Sequence, residues 1–222
     1  MSSEQTTFKV FISHAHQQKE LAGDIKRELS DLGLAAFVAH EDISPTEEWQ
    51  ATIIEVLREC DTFIAILTQD FKDSNWTDQE TGMAVALGKT IIPVKVDVDP
   101  YGFIAKFQAL KWRLEAYRDS MDELIGLLVA RGIIAKEKLI EALAHASSFY
   151  DAKLKSGLLL KGEPFTEEQM NIIVQAAIQN RQIYQSWDAV GTVRFLIEKH
   201  QGQIDKKSID KLDRLISGKD QF

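Results

Sequence analysis

The chain has a single cysteine, Cys60, among its 222 residues, so no internal disulfide can form. That suits a reducing compartment and predicts a cytoplasmic protein. The N-terminus "MSSEQTT" has neither a basic start nor an apolar stretch, so no secretory signal is read there. Long hydrophobic runs are missing too. The densest, "TFIAIL" and "LIGLLVARGII", are too short or too interrupted by charge to span a bilayer, which argues against a membrane partner. Positive charge is scarce where it would matter for nucleic acid. The net charge is −8, and residues 1–110 carry 9 Lys+Arg against 18 Asp+Glu. A general nucleic-acid binder needs a basic face, so that class is set aside. Residues 111–222 carry 17 against 16, a different character. This shift, with a change in hydrophobic period, predicts two domains, 7–118 and 119–222.

Glycine is absent where a phosphate-binding fold would require it. "FKVFIS" (8–13) reads as a buried strand, but Ser13-His14-Ala15-His16 follows it, which excludes a dinucleotide fingerprint and a P-loop. A receiver-type phosphorylation site fails as well, because Thr68 rather than aspartate ends the third strand. His14 and His16 lie two apart without a third ligand, so no metal is expected.

What is present is strand–helix alternation. Leu21, Ile25, Leu29 and Leu32 form a helical stripe that stops at Gly33. "LAAFVA" (34–39), "TFIAILT" (62–68) and "TIIPVKVDV" (90–98) read as further strands. Ile53, Val56 and Leu57, with Trp49, line a helix between the second and third. Short connections make the strands parallel, hence a flavodoxin-like α/β sheet with ligands expected beyond the strands' carboxyl ends.

"SNWTDQETGMAVALGK" (74–89) lies at that rim and allows two readings. Thr77-Asp-Gln-Glu80 fits a capping box, in which Glu80 only braces a helix start. Alternatively the helix begins at Ser74 or Asn75, and Trp76 and Glu80 share a face one turn apart. Trp76 is then either a core ring or a plate for a ligand. A lone carboxylate suffices to stabilise a ribosyl oxocarbenium ion when the leaving group is already cationic, as nicotinamide is in NAD+.

Several segments together resemble the Toll/interleukin-1 receptor (TIR) domain family. These are "VFISHA", "HEDISPTEEWQATIIEVLRECDTFIAILT" and "SNWTDQETGMAVALGKTIIPV", in register over about residues 7–115. The resemblance implies a flavodoxin-like TIR domain with a four- or five-stranded parallel sheet. In enzymatic members the glutamate of Trp-x-x-x-Glu cleaves NAD+, which places catalysis on Glu80 and a stacking role on Trp76. It also places Phe11, Ser13 and His14 of the first box, and Asp42 and Ile43 of the loop after the second strand, among substrate-binding residues. Bacterial members commonly yield ADP-ribose or cyclic isomers, and in Thoeris-type antiphage systems such a product activates a separate effector. NAD+ is then substrate, no further cofactor is implied, and self-association of TIR domains is expected. Two departures stand out: Pro45 precedes Thr46 where the family usually has Pro-Gly, and His14 and His16 replace an arginine common in enzymatic members. A non-catalytic TIR adaptor and a nucleoside deoxyribosyltransferase-like enzyme are the other readings.

From Met121 onward the periods are helical, giving an all-α C-terminal region. Phe165, Thr166, Gln169 and Met170 form a capping box with a hydrophobic staple, followed by a stripe at Ile173, Val174, Ala177 and Ile178. Two more helices are read in 186–202 and 206–219.

Overall fold

The computed structural model describes residues 9–38, 49–200 and 204–218. The chain divides into two compact units, Met1–Leu124 and Ile125–Phe222. The division falls within one helix, Tyr117–Ala130, rather than at residue 118.

Five strands organise the first unit: β1 (Lys9–Ser13), β2 (Ala35–Val38), β3 (Thr62–Leu67), β4 (Thr90–Lys95) and β5 (Leu110–Lys111). They pair in parallel in the order β2-β1-β3-β4-β5, the flavodoxin-like arrangement. Every residue of β3 is buried, which explains its uninterrupted apolar sequence. The helices are α1 (Lys19–Asp31), α2 (Trp49–Glu59), α3 (Gln69–Asp73), α4 (Asn75–Ala86) and α5 (Tyr117–Ala130).

One hydrophobic cluster beneath the sheet holds Phe11, Ile53, Leu57, Phe63, Phe71, Ala84 and Ile91. The rings of Phe11 and Phe63 stack with centroids 5.5 Å apart, and Phe37 lies 5.3 Å from Phe11. Each such side chain, fully buried, contributes on the order of 1.5–3 kcal/mol. Cys60 is buried at the end of α2, where its thiol donates to the Leu57 carbonyl. Glycine is needed where α1 and α4 stop. Gly33 and Gly88 have φ of 75° and 69°, and the residues after them, Leu34 and Lys89, bond back to Leu29 and Ala84. That is the Schellman turn, which returns each chain directly into β2 or β4.

The second unit contains α6 (Lys136–Ala144), α7 (Phe149–Gly162), α8 (Glu167–Gln179), α9 (Arg181–Tyr184), α10 (Trp187–Lys199) and α11 (Lys206–Ile216). The Thr166–Gln169 capping box is formed in both directions. Phe165 and Met170 are buried, as are Ile173, Val174, Ala177 and Ile178. The amphipathic stripe of α8 is therefore core.

Candidate active site

The site is assembled where β1 and β3 end. Ser13, the last residue of β1, pairs with Ala65 of β3 and is only 1% exposed. Beyond it the chain turns through Ala15, whose carbonyl accepts from the Gln18 amide at 2.9 Å. The Gln18 side chain in turn accepts from the Thr68 hydroxyl at 3.1 Å, tying the loop after β1 to the end of β3. Thr68 also caps α3, accepting from the Phe71 amide at 3.2 Å.

Ser74 then performs two tasks. Its amide donates to the Phe71 carbonyl, closing α3, and its hydroxyl accepts from the Thr77 amide at 3.4 Å, opening α4. The Thr77 hydroxyl lies 2.5 Å from the Phe71 carbonyl and 2.9 Å from that of Ser74, so it braces the same corner. Because Ser74 occupies the N-cap, Thr77 falls at N3 and Glu80 lies well inside the helix. The capping-box reading of Glu80 is thereby overturned: the cap is three residues earlier. Trp76 and Glu80 sit one turn apart on one face.

Glu80 is 4% exposed. Its Oε2 accepts a hydrogen bond from Ser13 Oγ, and its carboxylate also accepts from the Trp76 indole. Burial, which disfavours the charged form, pushes its pKa up to about 7, while the Ser13 and Trp76 hydrogen bonds hold it from rising further. The result is a poised carboxyl at a sheet rim, where perturbed acids cluster in functional sites. Trp76 itself is half-buried and packs against the hydrophobic cluster.

The other predicted residues are distributed unevenly. His14 is buried beside Ser13, whereas His16 is exposed. Asp42 and Ile43 lie outside the described residues. Phe11 is corrected: fully buried between Phe37 and Phe63, it is a core ring with no surface to offer a substrate. Ser13, two residues further on, shares its face of β1, but only the strand end reaches the rim. Gln18 is not singled out by the sequence, and Thr68, Ser74 and Thr77 stand out in it only as a strand end, a helix start and a cap. Thr68 and Ser74 carry a readable signal, since each is a hydroxyl residue immediately before a helix. Tyr101, after β4, donates to Asp78 of α4 at 2.8 Å, and the Lys72 ammonium stands 5.7 Å from its ring.

Residues 10–125, just over half of the chain, match the family model for the TIR domain. The chain belongs to the TIR domain family. A curated relative from Brachypodium distachyon, named as a probable 2′ cyclic ADP-D-ribose synthase, is 28% identical over 98 residues. That match covers 43% of this chain and 44% of the relative, so the chain spans less than half the length of that protein. Among solved structures, the TIR domain of the Toll-related receptor TRR-2 from Hydra magnipapillata aligns with a TM-score of 0.46 and 19% identity, over 54% of this chain and 95% of that one. The CMP N-glycosidase BcmB of Clostridium botulinum aligns at 0.41 and 22%, over 52% and 96%. Among the described residues of the TIR unit and the helical unit, no group of three or more His, Cys, Asp or Glu could hold a metal ion. No described helix is long and apolar enough to cross a membrane.

Proposed function

We propose that this TIR protein cleaves the nicotinamide–ribose bond of NAD+, with Glu80 as the catalytic residue. The observation that carries the reading is the Glu80 carboxylate itself. It is buried at the rim, clear of the helix cap, and held by donors from β1 and from its own helix. The TIR family membership and the relative named for cyclic ADP-ribose synthesis support the same chemistry.

In this reaction the C1′–N bond breaks and its electron pair goes to the pyridinium nitrogen, releasing neutral nicotinamide. No general acid is needed. Positive charge develops on the ribose, and the ionised Glu80 stabilises it in surroundings where water screens little. Capture of C1′ by water gives ADP-ribose and a proton. Capture by a hydroxyl or ring nitrogen of the same molecule gives a cyclic isomer. The product then serves as a signal, in a bacterial antiphage setting, for a separate effector, and TIR–TIR association completes the active form in the cytoplasm.

Incubating the purified protein with NAD+ and following nicotinamide by chromatography tests the proposal. Release by the wild type and its loss in Glu80→Gln is the expected result, because the amide keeps the shape and loses the charge. Equal release by the variant would remove Glu80 from catalysis. Persistent silence of the wild type, including at concentrations that drive self-association, points instead to an adaptor.

A further inference from the structure

Glu80 accepts a hydrogen bond from Ser13 at the end of β1, 67 positions earlier in sequence. We propose that Ser13 and Trp76 are positioning residues, two donors that clamp the Glu80 carboxylate in place, rather than side chains that grip the substrate. The proposal rests on the NAD+-cleaving reading for its catalytic consequence, though the clamp itself is a property of the free protein.

Three observations carry it. Ser13 is 1% exposed and its hydroxyl hydrogen is committed to Glu80 Oε2, so little of it is left to meet a ligand. The Trp76 ring is packed against the cluster containing Phe71 and Leu57, and its N–H edge donates to the same carboxylate. An indole has only that one donor. Finally, Ser13 is fixed by the β1–β3 register, and Trp76 by the Ser74 cap one turn before Glu80. One donor is thus anchored to the sheet and the other to the helix, which leaves the carboxylate little freedom to rotate. A carboxylate offers about four acceptor positions. With two filled by the clamp, two remain, as many as the hydroxyls of a ribose.

The clamp also biases Glu80 toward its charged form. Burial favours the neutral acid, and each donor favours the anion. The charged groups on the neighbouring helices, Glu55, Arg58 and Glu59 of α2 and Asp70, Lys72 and Asp73 of α3, are all exposed and screened by solvent. His14, just past Ser13, is buried. Burial, rather than any of these charges, sets the upward direction for Glu80, and the two hydrogen bonds oppose it.

The test uses Ser13→Ala and Trp76→Phe in the full chain. Phenylalanine keeps an aromatic ring, smaller than the indole, and has no N–H to donate. The Glu80 side-chain carbon is followed by NMR titration of protein labelled with 13C-glutamate, its resonance assigned through Glu80→Gln. Loss of one charge-assisted hydrogen bond is expected to raise the midpoint by about one to two pH units in either variant. With NAD+, the rising limb of the kcat profile should move upward by the same amount, with kcat recovering at about pH 9 and KM nearly unchanged. Midpoints that stay at the wild-type value in both variants overturn the clamp, whatever the protein does to NAD+. A Trp76→Phe enzyme with an unshifted profile does the same, since it leaves the ring as the working part. If the midpoints move but the wild type releases no nicotinamide at any pH, the clamp stands and the NAD+ reading falls.

Discussion

Replacing Glu80 by glutamine should stabilise the TIR unit, and should do so only above mildly acidic pH. The folded protein keeps the Glu80 proton to about pH 7, against an ordinary value of 4.5. Between those values the folded state binds more protons than the unfolded chain. The stability attached to this carboxyl is therefore fully present below about pH 4.5 and is lost as pH rises through about 7. At ~1.4 kcal/mol per pH unit the whole loss comes to about 3 kcal/mol. About 2 kcal/mol of it falls between about pH 5.5 and about pH 8. Glutamine cannot ionise, and its amide oxygen still accepts from Ser13, so the variant escapes the loss. Urea unfolding followed by far-UV circular dichroism at the two pH values measures the gap between variant and wild type. The gap should widen by about 2 kcal/mol on going to the higher pH. A gap of constant size would refute the reasoning, because it would mean that Glu80 is ionised as easily folded as unfolded. The predicted gain coincides with the predicted loss of NAD+ cleavage, the trade expected where a site holds a charge the fold would rather exclude.

Two further outcomes concern the scaffold. Phe11→Ala removes a fully buried ring from the stack with Phe37 and Phe63 and should cost about 3–5 kcal/mol. Thermal melting of the TIR unit should fall sharply, whereas a ligand-lining role would instead raise KM in a normally stable protein. Thr166→Ala breaks one arm of the α8 capping box and should cost about 1 kcal/mol. Amide hydrogen exchange should speed up in the first turn of α8 and stay unchanged in β3.

The strands were legible because their apolar runs are bounded by turn residues. β1, β3 and β4 appear at Lys9–Ser13, Thr62–Leu67 and Thr90–Lys95, within three residues of the reading from sequence. β5, two residues long, carries no periodicity to detect. Nor does α3, five residues whose start depends on the Thr68 cap. In the site, the Trp76–Glu80 face could be read from spacing, since i and i+4 meet in any helix. The choice between cap and helix interior turned on whether Ser74 or Thr77 accepts the first free amide, and both are good caps. The Ser13–Glu80 bond was out of reach, because it joins residues brought together only by sheet register and helix packing. Phe11 was misassigned for a related reason. Phe11 and Ser13 are two apart and share a face of β1, so depth rather than direction separates them: Phe11 lies mid-strand in the cluster and Ser13 ends the strand.

Ser74 is a joint with no slack. A single residue ends α3 and begins α4, so the path from the last residue of β3 to Glu80 behaves as a ruler of fixed length. An insertion after Ser74 would advance the helix by one position and swing Glu80 about 100° around its axis, away from Ser13. A deletion would swing it the other way. Changes of ligand preference in proteins built on this plan must therefore be accommodated by other loops, and chain-length variation between Thr68 and Glu80 should mark TIR domains that have given up the carboxylate altogether.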